Sequence, residues 1–209
     1  MWGRTGVSAN KTYVLGLTGG IGCGKSAAAQ FLESLGAAHI DADAISRELT
    51  AQDGAALPLI RNHFGDDVFT SDGTLNRAAL AQVVFYDEAQ RRALERIIHP
   101  MVRREVINRI KASDAAVTVL DVPLLFESGL DTLCDAVWSM SLDTRTQVER
   151  VCERDGLSPE QAMARVRSQM SARERDARAT CVISSDRPVE ETQAELAELY
   201  HNIIREISL

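Results

Sequence analysis

The sequence has no excess of positive charge. Its 23 Lys and Arg face 30 Asp and Glu, for a formal net charge of −7 over 209 residues. A protein that wraps DNA or RNA gains affinity by neutralising phosphates along a basic surface, so no nucleic-acid partner is expected. No apolar run approaches the ~18 residues of a membrane span, which argues against a membrane partner. The start, Met1-Trp2-Gly3-Arg4-Thr5-Gly6, lacks the apolar centre of a secretory leader and reads as part of a tail, residues 1–11. None of the four cysteines, Cys23, Cys134, Cys152 and Cys181, belongs to a C-x-x-C pair, so a thiolate zinc site is not expected. There is no internal repeat and no low-complexity linker. What remains is an ordinary globular composition, 45% hydrophobic and 25% charged, in a chain long enough to bury a sizeable core.

Against that background one stretch stands out. Gly19-Gly20-Ile21-Gly22-Cys23-Gly24-Lys25-Ser26 fills the phosphate-binding pattern G-x-x-x-x-G-K-[ST]. The apolar run Tyr13-Val14-Leu15-Gly16-Leu17 reads as a buried strand before it, and Ala27 to Leu32 as a helix after it. The glycines let the backbone curl so that successive N–H groups converge. The helix N-terminus adds unpaired N–H groups and partial positive charge. Gly20, Ile21, Gly22, Cys23, Gly24, Lys25, Ser26 and Ala27 are therefore the expected cradle for a nucleoside triphosphate. Lys25 is expected at the β- and γ-phosphates and the Ser26 hydroxyl on Mg²⁺. Cys23 has two readings: a reactive thiol activated by the helix N-terminus, or a small filler at a variable loop position. A disulfide at Cys23 would distort the cradle, so a reducing, cytoplasmic setting is expected.

Strand-like and helix-like segments alternate, which predicts an α/β fold with a parallel sheet and helices on both faces. Further strands are expected at 37–41, 116–122, 136–141 and 181–183. The long segment from Ala44 to about Ala112 reads as helical, interrupted by a loop or short hairpin over 64–73 and broken again at His99-Pro100. It is expected to be an insertion over one edge of the site within a single domain of residues 12–209, not a separate domain. Thr144 to Asp155 reads as a helix. Another opens at Ser158-Pro159-Glu160, and a last one runs from Pro188 to Ile207.

The motifs of other P-loop classes are missing. No N/T-K-x-D follows a strand, D-x-x-G fails at Asp121-Val122-Pro123-Leu124, and Asp121 is not part of a strand-terminal acidic pair. A small-molecule kinase needs less: a carboxylate near the acceptor hydroxyl, and arginines that close over the transferring phosphoryl group. Asp41 and Asp43 follow the second strand. If the strand continues, they share one face at the sheet edge that faces ligands. The alternative is a polar turn with Asp43 capping the next helix. Arg145, Arg150, Arg154, Arg165, Arg167, Arg173, Arg175 and Arg178 form a dense run from which one or two phosphate contacts are expected.

The ordered set of motifs resembles dephospho-CoA kinase. It comprises Gly16 to Ser26, then Asp41-Ala42-Asp43, Gly73-Thr74-Leu75-Asn76-Arg77, Ile98-His99-Pro100-x-Val102-Arg103 and Asp121-Val122-Pro123-Leu124-Leu125-Phe126-Glu127. Gln147-x-x-Arg150-x-x-x-Arg154 and Arg165-x-x-x-Gln169 complete it. The resemblance runs from about Val14 to the last helix. It implies a P-loop three-layer α/β/α core, a helical substrate-binding insertion and a helical lid. The corresponding boundaries are about 12–43, 115–143 and 179–209 for the core, 44–114 for the insertion and 144–178 for the lid. The implied activity is MgATP-dependent phosphorylation of the ribose 3′-hydroxyl of dephospho-CoA, giving CoA and ADP.

Carried over position by position, Asp43 is the implied base with Asp41 beside it, and Arg150 and Arg154 are implied lid residues. Arg47, Arg77, His99 and Arg103 face the acceptor, and Pro123, Leu124, Leu125 and Glu127 line its crevice. Leu124, Leu125 and Phe126 have core packing as the alternative, and His99 the role of a helix-break residue bonded to a carbonyl. Whether such an enzyme is a monomer or a homo-trimer stays open.

Two departures stand out. Ala27 replaces the family's Thr. The late stretch Ala179-Thr180-Cys181-Val182-Ile183-Ser184-Ser185 has lost the family's acidic and amide positions. On residues alone, a kinase for a nucleoside monophosphate or a shikimate-like alcohol remains a rival, as does a nucleotide sensor without turnover.

Overall fold

The computed structural model describes residues 12–209; the expected tail, residues 1–11, lies outside the described residues. Five strands form one sheet in the order β2-β3-β1-β4-β5. They are β1 (Tyr13–Gly19), β2 (Ala38–Asp41), β3 (Val117–Asp121), β4 (Ala136–Ser141) and β5 (Cys181–Ser184). β1 pairs in parallel with β3 (Leu15 opposite Val119) on one side and β4 (Leu17 opposite Trp138) on the other, and β4 pairs in parallel with β5. The helices are α1 (Lys25–Ser34), α2 (Ala42–Leu49), α3 (Leu57–Phe64), α4 (Arg77–Tyr86), α5 (Glu88–Ala112), α6 (Thr144–Asp155), α7 (Pro159–Arg167), α8 (Ala172–Arg178) and α9 (Val189–Ile207). This is the expected P-loop α/β fold.

The chain divides into two compact units. The first runs up to Ile40 and resumes at Arg109. Every residue of β3 is buried, as expected of a parallel strand covered on both faces. Leu15 and Leu17, Val117 and Val119, and Trp138 and Met140 alternate along their strands. They join Ala28, Ala29 and Leu32 of α1 and Leu196, Tyr200 and Ile203 of α9 in one core. The second unit, Asp41–Asn108, has its own core of Ala56, Ile60, Val68, Leu75 and Leu80. Around it pack Leu49, Phe64, Ile97, Ile98 and Met101.

Two local expectations are corrected. The helix break expected at His99-Pro100 is absent, because α5 runs through Pro100 to Ala112. Proline removes one hydrogen bond, to the Arg96 carbonyl. Arg96 and Pro100 are both exposed, so water can satisfy that carbonyl, while Ile97, Ile98 and Met101 anchor the helix on either side. The break falls at Asp87 instead. Its side chain accepts from Ala89 N at 2.8 Å and Gln90 N at 3.1 Å and so starts α5. The second correction is at β2, which stops at Asp41, with α2 beginning at Ala42. Asp41 is the N-cap, accepting from Ala44 N at 3.0 Å. Asp41 and Asp43 therefore do not share a strand face, and Asp43 is not the cap. The segment 64–73 is a loop: it leaves α3, makes a 3-10 turn over Asp66–Val68, and Phe69 forms an isolated antiparallel bridge with Leu75.

Candidate active site

The P-loop follows β1 directly and feeds α1. Gly22 and Gly24 have φ of +80° and +78°, left-handed values that a Cβ would strain. Cys23 N donates to Gly20 O at 3.1 Å and closes the turn. At Gly20 the reason for glycine is space: a Cβ there would lie 2.8 Å from Gln147 Oε1 and 3.2 Å from Arg175 Nη2. Ser26 and Ala27 are exposed at the head of α1.

Several long-range contacts hold this loop. Ile21 N donates to Gln169 Oε1 at 2.9 Å. Arg150 of α6 donates through Nη1 to Gly22 O and through Nη2 to Ser185 O, both at 3.2 Å. Gln147, buried, anchors itself by donating to Leu142 O at 2.7 Å. Arg175 is 4% exposed, donates to Ser139 Oγ and Met170 O, and leaves Nη2 without a partner among the described residues, beside Gly20.

Lys25 is ion-paired with Asp121, the last residue of β3. The other Asp121 oxygen lies 3.4 Å from His39 Nε2. Burial alone would raise the Asp121 pKa; the His39 hydrogen bond and the Lys25 ammonium outweigh it and hold the carboxyl below its ordinary 3.8. At Cys23 the balance goes the other way. Burial raises its thiol pKa against the lowering pull of Arg175, so of the two readings the inert filler fits.

The other expected residues are placed as follows. Asp43 is exposed in the first turn of α2. Arg47 donates to Asp41 at 3.1 Å. Arg77 closes the end of α2, its Nη2 donating to Thr50 Oγ1 at 2.9 Å and Thr50 O at 3.2 Å. His99 is exposed on α5 in a shallow groove with Arg92, Glu95, Arg96 and Pro100, and Arg103 is half-buried on the same helix. After β3, Pro123 O accepts from Thr18 Oγ1 at 3.1 Å. Leu125 and Phe126 are core, Leu125 wholly buried against Gly16 and Phe126 beneath the Arg178 guanidinium, whereas Leu124 is exposed. Glu127 is exposed and accepts from Met170 N at 3.2 Å. Arg154 and Arg165 both pair with Asp155, bracing α6 against α7.

Two side chains of the departing stretch 179–185 have structural uses. Thr180 Oγ1 accepts from Val137 N at 2.8 Å and donates to Val137 O at 2.7 Å. Ser185 bonds the Ser141 carbonyl through both its N and its Oγ.

Asp121, His39, Gln147, Gln169 and Arg175 were not singled out as site residues from sequence. Gln147, Gln169 and Asp121 stood inside quoted motifs and Arg175 in the arginine run. His39 carried no signal.

A phosphate-binding loop of this kind serves several classes of nucleotide-binding protein; the whole-chain comparison separates them. The family model for dephospho-CoA kinase matches residues 13–191. The chain belongs to the dephospho-CoA kinase family. A curated dephospho-CoA kinase from Bacillus cereus is 43% identical over 195 residues, covering 91% of this chain and 97% of its own length. Among solved structures, one from Thermus thermophilus superposes with a TM-score of 0.80 at 33% identity, over 91% of this chain and 97% of that one. The dephospho-CoA kinase of Campylobacter jejuni, at 24% identity and a TM-score of 0.62, covers 92% of this chain and 98% of its own, and shares the fold.

Proposed function

We propose that the protein transfers the γ-phosphoryl group of ATP to the ribose 3′-hydroxyl of dephospho-CoA, giving CoA and ADP, the last step of CoA synthesis. The observation that carries this reading is a complete P-loop within a family match spanning residues 13–191. Four unpaired cysteines suit work in a reducing cytoplasm.

In this mechanism the backbone N–H groups of Gly20 to Ala27 bind the ATP phosphates, and Lys25 exchanges Asp121 for the β- and γ-phosphates. Among the described residues no group of three His, Cys, Asp or Glu could hold a metal alone. Mg²⁺ keeps water and phosphate oxygens and asks for only one or two protein oxygens, which the exposed Ser26 hydroxyl fits. Bound there, the cation would neutralise phosphate charge. Asp43 orients the 3′-hydroxyl and accepts its proton, while Arg150 offsets charge on the transferring group. Arg47, Arg77, His99 and Arg103 contact the acceptor, and Pro123, Leu124 and Glu127 flank it.

The test is ADP release from MgATP with dephospho-CoA, and with AMP, CMP and shikimate as controls. Release that depends on dephospho-CoA, with CoA seen by mass, is expected. Release with another acceptor would discard the acceptor assignment, and nucleotide binding without release would make the protein a sensor.

A further inference from the structure

Asp121 has two partners on different elements. Lys25, at the start of α1, takes Oδ1, and His39, on β2, sits by Oδ2. The carboxyl is only 6% exposed, whereas Lys25 is 13% and His39 21% exposed. An ionised carboxylate can only accept, so His39 Nε2 must carry the proton it shares with Asp121. The other ring nitrogen, Nδ1, lies 3.7 Å from Glu33 of α1. His39 is thus the second support of a buried charge whose first support is the P-loop lysine.

Phosphate binding calls the same lysine away. Once Lys25 turns to the β- and γ-phosphates, Asp121 loses its cation while remaining buried, and a buried carboxylate without a partner is costly. We propose that His39 is a positioning residue for phosphate binding: by holding Asp121, it allows Lys25 to leave for the nucleotide. His39 acts on Lys25 only through Asp121. The proposal rests on the P-loop reading but not on the identity of the acceptor.

His39 matters more in one state than in the other. While Lys25 pairs with Asp121, losing His39 removes one of two partners. When Lys25 is on phosphate, losing His39 removes the side-chain hydrogen bond that is left to Asp121 among the described residues. The loss therefore falls on the nucleotide-bound state. Replacing Asp121 by Asn takes away the buried charge, and His39 then has nothing to support.

The experiment is calorimetric titration of MgATP into wild type, His39→Val, His39→Gln, Asp121→Asn and the His39→Val/Asp121→Asn double variant. Valine suits a strand and has no donor, while the glutamine amide reaches the place of Nε2. His39→Val is expected to weaken MgATP binding about tenfold, or about 1.4 kcal/mol. His39→Gln is expected to stay within about twofold of wild type, because it restores the donor. In the Asp121→Asn background, His39→Val is expected to change nothing, which a loss of general packing would not reproduce. Wild-type affinity in His39→Val, or the same tenfold loss with and without Asp121, overturns the proposal. If His39→Val does not fold, His39→Leu takes its place: a tenfold loss that is absent in the Asp121→Asn background supports the proposal, and wild-type affinity overturns it. Wild type that binds MgATP but does not phosphorylate dephospho-CoA would overturn the function proposed above and leave this one standing.

Discussion

Arg150 Nη1 donates to the Gly22 carbonyl at 3.2 Å, joining α6 to the phosphate loop across 128 residues of sequence. The second arm of the guanidinium bonds Ser185 O. Both acceptors are neutral carbonyls, weaker partners for a cation than a phosphate oxygen. Arg150 can therefore exchange them when phosphate arrives. Arg150→Ala is expected to lower kcat about 10²- to 10³-fold, the scale of losing one donor to transition-state charge. Steady-state kinetics with saturating MgATP checks this. A drop in thermal stability with kcat unchanged would make Arg150 a strut of the loop only.

Cys23 lies inside the phosphate loop yet is 1% exposed, and burial raises its thiol pKa. Cys134 is pushed up by burial to about 12. Only a thiolate reacts with alkylating agents, so both residues should be protected in the folded protein at pH 8. Mass spectrometry after timed iodoacetamide treatment is expected to show Cys23 and Cys134 labelled only after denaturation. Prompt labelling of Cys23 in the native state would mean that the loop opens far more than its contacts indicate.

Local signals carried most of the fold. The apolar run into Gly19, the glycines at left-handed φ and the alanines after Ser26 specify strand, loop and helix within about twenty residues of sequence. Ser158 and Gln161 form a capping box where a helix start was expected. Pro100 misled because a helix break was read from proline alone, whereas Asp87 supplied a real start for α5. The supports of the loop were the least legible part. Gln169 lies 148 residues from Ile21, and Asp121 lies 96 from Lys25. Such pairs exist only after the sheet has assembled, and no spacing rule along the chain announces them. Leu125 illustrates the same limit. Its apolar character fits core and crevice equally, and only the packing against Gly16 assigns it to the core.

The Asp121 carboxyl has its pKa below the ordinary 3.8: burial raises it, and His39 and Lys25 overcome that effect. A depressed folded-state pKa contributes stability that is present above the unfolded value. It is lost as pH falls through the folded one. Stability tied to this group should therefore be intact at neutral pH and fall away only below about pH 4. Asp121→Asn is expected to flatten the decline of the melting temperature between pH 4 and the acid limit. An unchanged slope would show that other carboxylates dominate acid unfolding.

Asp43 sits one residue inside α2, exposed, while its neighbour Asp41 is occupied as the N-cap and as the partner of Arg47. Of the two carboxylates it is the one whose substitution leaves the helix start intact, so its chemistry can be tested without removing a cap. Asp43→Asn keeps size and polarity and removes the basic oxygen. As the proposed base it should lower kcat by about two to four decades, with KM for ATP little changed, since the nucleotide phosphates are bound elsewhere. Asp41→Asn should instead show its effect in thermal stability, and only modestly, because Asn also caps helices. Initial rates of CoA formation for both variants, alongside thermal melts, separate the two roles. Near-normal kcat in Asp43→Asn would remove it as the base. If Asp41→Asn instead lost the decades, the proton-accepting role would pass to the cap residue.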